Sequence, residues 1–172
     1  MKDNGIKHSI QILEYAFRLL EDKSNEGLQK LSKLRKPDNV IHLKHLDNDD
    51  EFGKNTLMAC QGIPSLILLS LTVEQTLKLI IKQETKKEYR IHGLKDLFEK
   101  LPAVCQGEIS NQVMADIKID FETFKEKLKE NNLVFINWRY FYENQNPNIA
   151  GVEFLHIFYK RLKDKIKTNA EY

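Results

Sequence analysis

A chain of 172 residues, 41% hydrophobic and 30% charged, has the length of one ordinary domain and enough apolar content for a core. Its 27 basic and 25 acidic side chains leave a formal charge of +2, which argues against non-specific coating of nucleic acid, a property that needs a large positive excess, and leaves room for a local basic groove. Two cysteines, Cys60 and Cys105, are too few for a disulfide scaffold and lack metal-ligand spacing, so they read as buried thiols in a reducing compartment.

The opening MKDNGIKHSIQ has no apolar run of the signal-peptide kind, and the expected location is the cytoplasm. From about Ile6 to Leu34, Ile6, Ile10, Leu13, Ala16, Phe17 and Leu20 recur at three- and four-residue spacing, which marks one face of a helix. The pattern continues through SNEGLQKLSKL, either in the same helix or after a short break at Gly27, and Pro37 with Asp38 stops it. Residues 36–54 are rich in Asp and Asn without a sustained period and are predicted to be a connecting loop. His42, His45, Asp47, Asp49 and Asp50 are donor types that suit a divalent ion, but nothing fixes their geometry, so no metal and no cofactor is assigned.

From Asn55 to about Gln83 apolar residues occupy nearly every helical face, as in SLILLSLTVEQTLKLII, so this helix is predicted to be central, with Pro64 beginning or kinking it. Ser65, Ser70, Thr72, Glu74, Gln75 and Thr76 interrupt the run, a polar load that argues against a membrane span. HGLKDLFEKLP follows as a short amphipathic helix with Leu94, Leu97, Phe98 and Leu101 inward and Pro102 closing it. A further helix is predicted from near Ile119, with Phe121, Phe124 and Leu128 on one stripe and Phe135, Trp138 and Tyr142 continuing it across a break at Asn131 and Asn132. The last helix spans about Ile149 to Thr168, with Val152, Leu155, His156, Tyr159, Leu162 and Ile166 on its apolar face. These patterns predict a single all-α domain over 1–172, an antiparallel bundle of four long helices plus shorter ones.

Glu74 is out of place on an all-apolar helix, because a buried carboxylate without a partner costs several kcal/mol. Lys78, one turn later, is in the favourable order for a pair. In a bundle interior Arg139 is the better candidate partner, since its planar fork binds a carboxylate at two points. Arg139 and Glu143 lie beside the aromatic stripe of VFINWRYFYENQN, where they form either a polar network that sets helix register or the wall of a phosphate-binding pocket. His92, at the start of the short helix, reads as a capping or packing residue, His156 as a satisfied core histidine and His8 as a surface one.

SLTVEQTLKLII on a central helix, then HGLKDLFEKLP, then WRYFYE resemble the HEPN superfamily over about residues 55–165. The resemblance implies a small all-α bundle that forms homodimers and serves in bacterial defence or toxin–antitoxin systems, often as a ribonuclease. It matches the family's Glu and Lys on the central helix with Glu74 and Lys78. The start of the next helix is matched by His92 and Leu94, and an Arg-Tyr pair by Arg139 and Tyr140. Ribonuclease members resemble one another in an arginine followed after four to six residues by a histidine. Here YFYENQN follows Arg139, Arg161 is followed by LKDKIK, and Arg90 precedes His92 too closely. Asn144, Gln145 and Asn146 donate hydrogen bonds but cannot shuttle a proton near neutral pH.

The expectation is therefore a HEPN-like protein that acts by binding RNA, a nucleotide or a protein partner, with no membrane association. Glu74, Lys78, Arg139, Tyr140, Glu143 and Asn144 would form its polar network or binding set. The enzymatic alternative is a divergent, metal-independent ribonuclease whose candidate catalytic residues are Arg139, Glu143 and His92. A second alternative is an antitoxin or immunity-type module that binds a protein through LDNDDEF and the face KRLKDKIK.

Overall fold

The structure, a computed structural model, describes residues 2–33, 51–132 and 151–168. It contains α1 (Lys2–Lys33), α2 (Glu51–Ala59), α3 (Gly62–Thr85), α4 (Leu94–Phe98), α5 (Ala103–Ile117), α6 (Phe121–Glu130) and α7 (Val152–Thr168). Among the described residues there is no strand, and the helical bundle expected from the periodicity is what forms.

The 32 residues of α1 run unbroken, a rod about 48 Å long, with Ile10, Phe17 and Leu31 buried along one face. Gly27 is a contact point in this helix, not a break. A Cβ there would lie 2.7 Å from the Asn55 carbonyl oxygen and 2.7 Å from Met58 Cβ, so the missing side chain is what lets α2 cross α1 so closely. Two hydroxyls fasten the same corner. Ser24 donates to the Ala59 carbonyl at 2.7 Å, and Ser65 donates to the Phe17 carbonyl at 2.9 Å. The end of the predicted 36–54 loop is helical, since α2 begins at Glu51, while 34–50, with His42, His45 and Asp47 to Asp50, lies outside the described residues.

The central helix is α3, with Pro64 in its first turn, where its missing N–H costs nothing. Leu66, Leu69, Val73, Leu77, Leu79, Ile80 and Ile81 are all buried, because α1 packs on one side of it and α7 on another. Thr72 and Thr76 are accommodated by donating their hydroxyls back to the Leu68 and Thr72 carbonyls, each at 2.6 Å. Glu51–Thr85 is long and apolar enough to cross a membrane by length and composition, and within the bundle α1 and α7 flank it.

Leu94, Leu97, Phe98 and Leu101 are all buried, as their spacing predicts. The next helix, α5, has no counterpart among the predicted elements and corrects them. Its buried apolar residues, Cys105, Ile109 and Val113, make a narrow stripe with Ser110 buried beside it, and Val104 is 72% exposed. Thus α5 adds a 15-residue helix to the described bundle, while the part of the predicted helix beyond Asn132 lies outside the described residues. The helix after Ile119 is α6, capped by Asp120, whose carboxylate accepts from the Thr123 N–H at 2.8 Å. It ends at Glu130, the predicted break. Phe124 and Leu128 are buried, but Phe121 is half exposed, against the expected stripe. Phe135, Trp138 and Tyr142 lie outside the described residues. On α7, Leu155, Tyr159 and Leu162 are buried. Phe124, Phe154 and Phe158 join Phe98 in an aromatic cluster with centroids 5.5–6.3 Å apart.

Candidate functional site

Glu74, 3% exposed, sits midway along α3. Lys78 lies one turn on and donates from Nζ to Oε1 at 2.8 Å, the pair its spacing predicts. The second partner comes from another part of the chain. Lys86 adopts φ 60° and ends α3 with its N–H on the Lys82 carbonyl, and the chain reverses through residues 87–93. Lys82 holds Glu88 at 2.9 Å across that reversal. His92 is thereby returned to α3 with Nδ1 3.0 Å from Oε1 of Glu74.

An ionised carboxylate only accepts hydrogen bonds, so the imidazole donates from Nδ1, and in the neutral ring Nε2 carries the lone pair. The ring is 63% exposed while its carboxylate partner is 4% exposed. A buried acid therefore orients an accessible base. This corrects the reading of His92 as a cap, because the N-cap position of α4 is Gly93 and no side chain caps there. The first N–H groups of α4 are met from a distance. Asn132 accepts from the Leu94 N–H through its carbonyl at 3.2 Å and from the Lys95 N–H through Oδ1 at 2.7 Å. Gly93 lies between them, where a Cβ would push aside the Asp96 carboxylate and the Asn132 side chain, whose Oδ1 is 2.7 Å away. Asn131, fully buried, closes α6 by donating to the Lys127 carbonyl at 2.7 Å. Gly93, Asn131 and Asn132 thus hold the frame in which His92 meets Glu74.

Of the residues expected to form the site, the structure brings together Glu74, Lys78 and His92. Arg139, Tyr140, Glu143 and Asn144 lie outside the described residues, and so does any contact between Arg139 and Glu74. Among the described residues no group of three or more His, Cys, Asp or Glu side chains is arranged to hold a metal ion. The Glu74 cluster offers an oriented base, a cation and a hydrogen-bonded carboxylate, which can bind a phosphate or amide and can move a proton at Nε2.

A second polar network escaped the sequence pattern altogether. Glu14 accepts from Tyr159 at 2.7 Å, from Lys163 at 2.7 Å on both oxygens, and from Arg18 at 3.0 and 3.2 Å. Burial raises the Glu14 pKa, and the hydrogen bonds from Lys163, Tyr159 and Arg18 outweigh it, so the net shift is downward. The only sequence trace of this network is the four-residue spacing of Glu14 to Arg18 and of Tyr159 to Lys163. Nearby, Arg161 forks onto Asp116, and Lys165 reaches Glu108 at 2.7 Å. Arg161, Lys163 and Lys165 of the KRLKDKIK face are therefore already paired within the chain. His156 meets Glu21 at 2.8 Å with its ring 30% exposed and stacks edge-on against Phe17, so it is satisfied at the rim of the core. His8 is exposed, Cys105 is buried and Cys60 is half-buried. No protein-family model, curated protein or solved structure matches the chain.

Proposed function

We propose that this chain is a HEPN-like helical protein of bacterial defence or toxin–antitoxin type, working in the cytoplasm as a homodimer. It acts by binding RNA, a nucleotide or a protein partner, and not by the usual HEPN ribonuclease chemistry. One observation carries the reading: the buried Glu74 that holds Lys78 and the exposed His92 at 2.8 and 3.0 Å. These residues occupy the positions where the chain resembles the family, and the cluster presents a cation and an oriented imidazole at the surface. The lack of a histidine four to six residues after Arg139 sets the reading against cleavage.

Fluorescence anisotropy with a labelled single-stranded RNA tests it, beside labelled ATP and a pull-down with the proteins encoded next to it. The expected outcome is saturable binding to one of the three that weakens in His92→Ala and Arg139→Ala, with the RNA left intact. Absence of all three, or binding indifferent to both variants, would overturn the proposal. A monomer in sedimentation at micromolar concentration would remove the homodimer from it.

A second reading, a divergent metal-independent ribonuclease using Arg139 and Glu143, gains support from the same carboxylate–imidazole pair. An Nδ1 fixed by an acid with Nε2 outward is the arrangement of a general base. Cleavage of the labelled RNA by the wild type, lost in His92→Gln, would establish it in place of the first.

A further inference from the structure

A cleft of about 260 Å³ opens between α1, α3 and α7. Ile10 and Leu79 form its floor with the partly buried Ile166, and Glu14, Lys7 and Lys163 stand at its polar side. Tyr159, 2% exposed, is the buried anchor of that polar side, and its hydroxyl is spent on Glu14. The Glu14 carboxylate takes five contacts from Tyr159, Lys163 and Arg18, about the full acceptor capacity of the group. One negative charge is thus shared by two cations. Lys7 lines the same cleft as Lys163 and has no ion-pair partner among the described residues. Lys7 and Lys163 against one saturated carboxylate leave a positive excess beside an apolar floor.

We propose that this cleft binds a small amphipathic anion, a short-chain aliphatic carboxylate, with its head group between Lys7 and Lys163 and its chain over Ile10, Leu79 and Ile166. The volume lies just below the roughly 300–1,000 Å³ of pockets for drug-sized ligands, which limits the guest to a short chain. A charge-assisted hydrogen bond fixes the head, and burial of a few methylenes supplies the remaining affinity. The site is separate from His92 and stands or falls independently of the function proposed above.

The test is a titration of the full chain with octanoate, followed by amide NMR and calorimetry, beside the neutral octanamide. Octanoate is expected to shift amides of α1, α3 and α7 that border the cleft, and to bind about tenfold or more tighter than octanamide, the fold-change of one charge-assisted hydrogen bond. Lys7→Glu should weaken octanoate by a similar factor with the far-UV circular dichroism unchanged. Lys87→Glu, a charge reversal at an exposed position outside the cleft, should leave the affinity as it is. Shifts scattered over the surface, equal binding of octanamide, or equal loss in both lysine variants would overturn the proposal.

Discussion

His92 and Glu74, eighteen positions apart in the chain, meet through a 3.0 Å contact between Nδ1 and Oε1, and the same oxygen takes Lys78 Nζ at 2.8 Å. The two partners of Glu74 differ in their surroundings. Lys78 is 19% exposed and His92 63%. Replacing Lys78 leaves a buried carboxylate short of a donor, so Lys78→Ala is expected to cost about 1–3 kcal/mol in urea unfolding at neutral pH. His92→Ala, which removes a solvated ring, should cost less than about 1 kcal/mol. Equal losses would make His92 part of the scaffold.

Two glycines make opposite predictions from the same chemistry. In a helix interior Gly→Ala is favourable by about 1 kcal/mol where space permits. At Gly107, within α5, a new Cβ meets nothing within 4 Å, so Gly107→Ala should stabilise by about 0.5–1 kcal/mol. At Gly27 the new Cβ would press on the backbone of α2, 2.7 Å from the Asn55 carbonyl oxygen. Gly27→Ala is expected to destabilise by about 1–3 kcal/mol despite the better propensity. Thermal melts of the two variants beside the wild type would show shifts of opposite sign.

Local pattern carried the parts of this fold that depend on neighbours in sequence. The apolar surround of α3, the buried Leu94, Leu97, Phe98 and Leu101, and the end of α6 near Asn131 are all readable at helical spacing. What failed to read depends on distance. In α5 three buried apolar residues, Cys105, Ile109 and Val113, spaced four apart beside a buried Ser110 and an exposed Val104, give a stripe too narrow to stand out. Gly27 looks like a helix breaker until α2 is known to cross there. The Glu74–Lys78 pair was legible from its i to i+4 spacing. The Glu74–His92 pair needs the chain reversal after Lys86, and no periodicity encodes it.

Glu14 makes stability depend on acid. Its pKa is held below the ordinary value of 4.5 in the folded chain. A carboxyl depressed by folding contributes stability above its unfolded pKa, and that contribution disappears as pH falls through the folded value. Urea unfolding measured from neutral pH down through and below the usual carboxylate range should therefore show a loss that is shallower in Glu14→Gln than in the wild type. An identical slope would mean that the bonds from Lys163, Tyr159 and Arg18 add nothing in solution.

Tyr159 tests the same network from the opposite side. Burial, and then its hydrogen bond to Glu14, push its phenol well above the ordinary tyrosine range. Its proton therefore remains at neutral pH, and the contribution is lost only as pH rises through the raised value. Tyr159→Phe at neutral pH keeps the ring against Phe17, 5.9 Å between centroids, and removes one donor from a carboxylate that retains Lys163 and Arg18. The expected cost is about 0.5–1.5 kcal/mol.

Asn132 decides whether α4 starts where His92 needs it. Its carbonyl and Oδ1 satisfy the Leu94 and Lys95 N–H groups at 3.2 and 2.7 Å, and a helix of five residues has little else to fix its first turn. Asn132→Ala removes the side-chain acceptor and should cost about 0.5–2 kcal/mol, the usual worth of a lost cap. The local effect is the sharper readout, because the Lys95 amide is protected only through that oxygen. Hydrogen exchange at Lys95 should accelerate by more than the global loss of stability explains. Asn132→Asp, which keeps an acceptor at the same place, should restore most of the protection. If Lys95 exchanges no faster in Asn132→Ala than other amides of α4, the cap is not what holds the start of α4, and the placement of His92 rests on Glu74 alone.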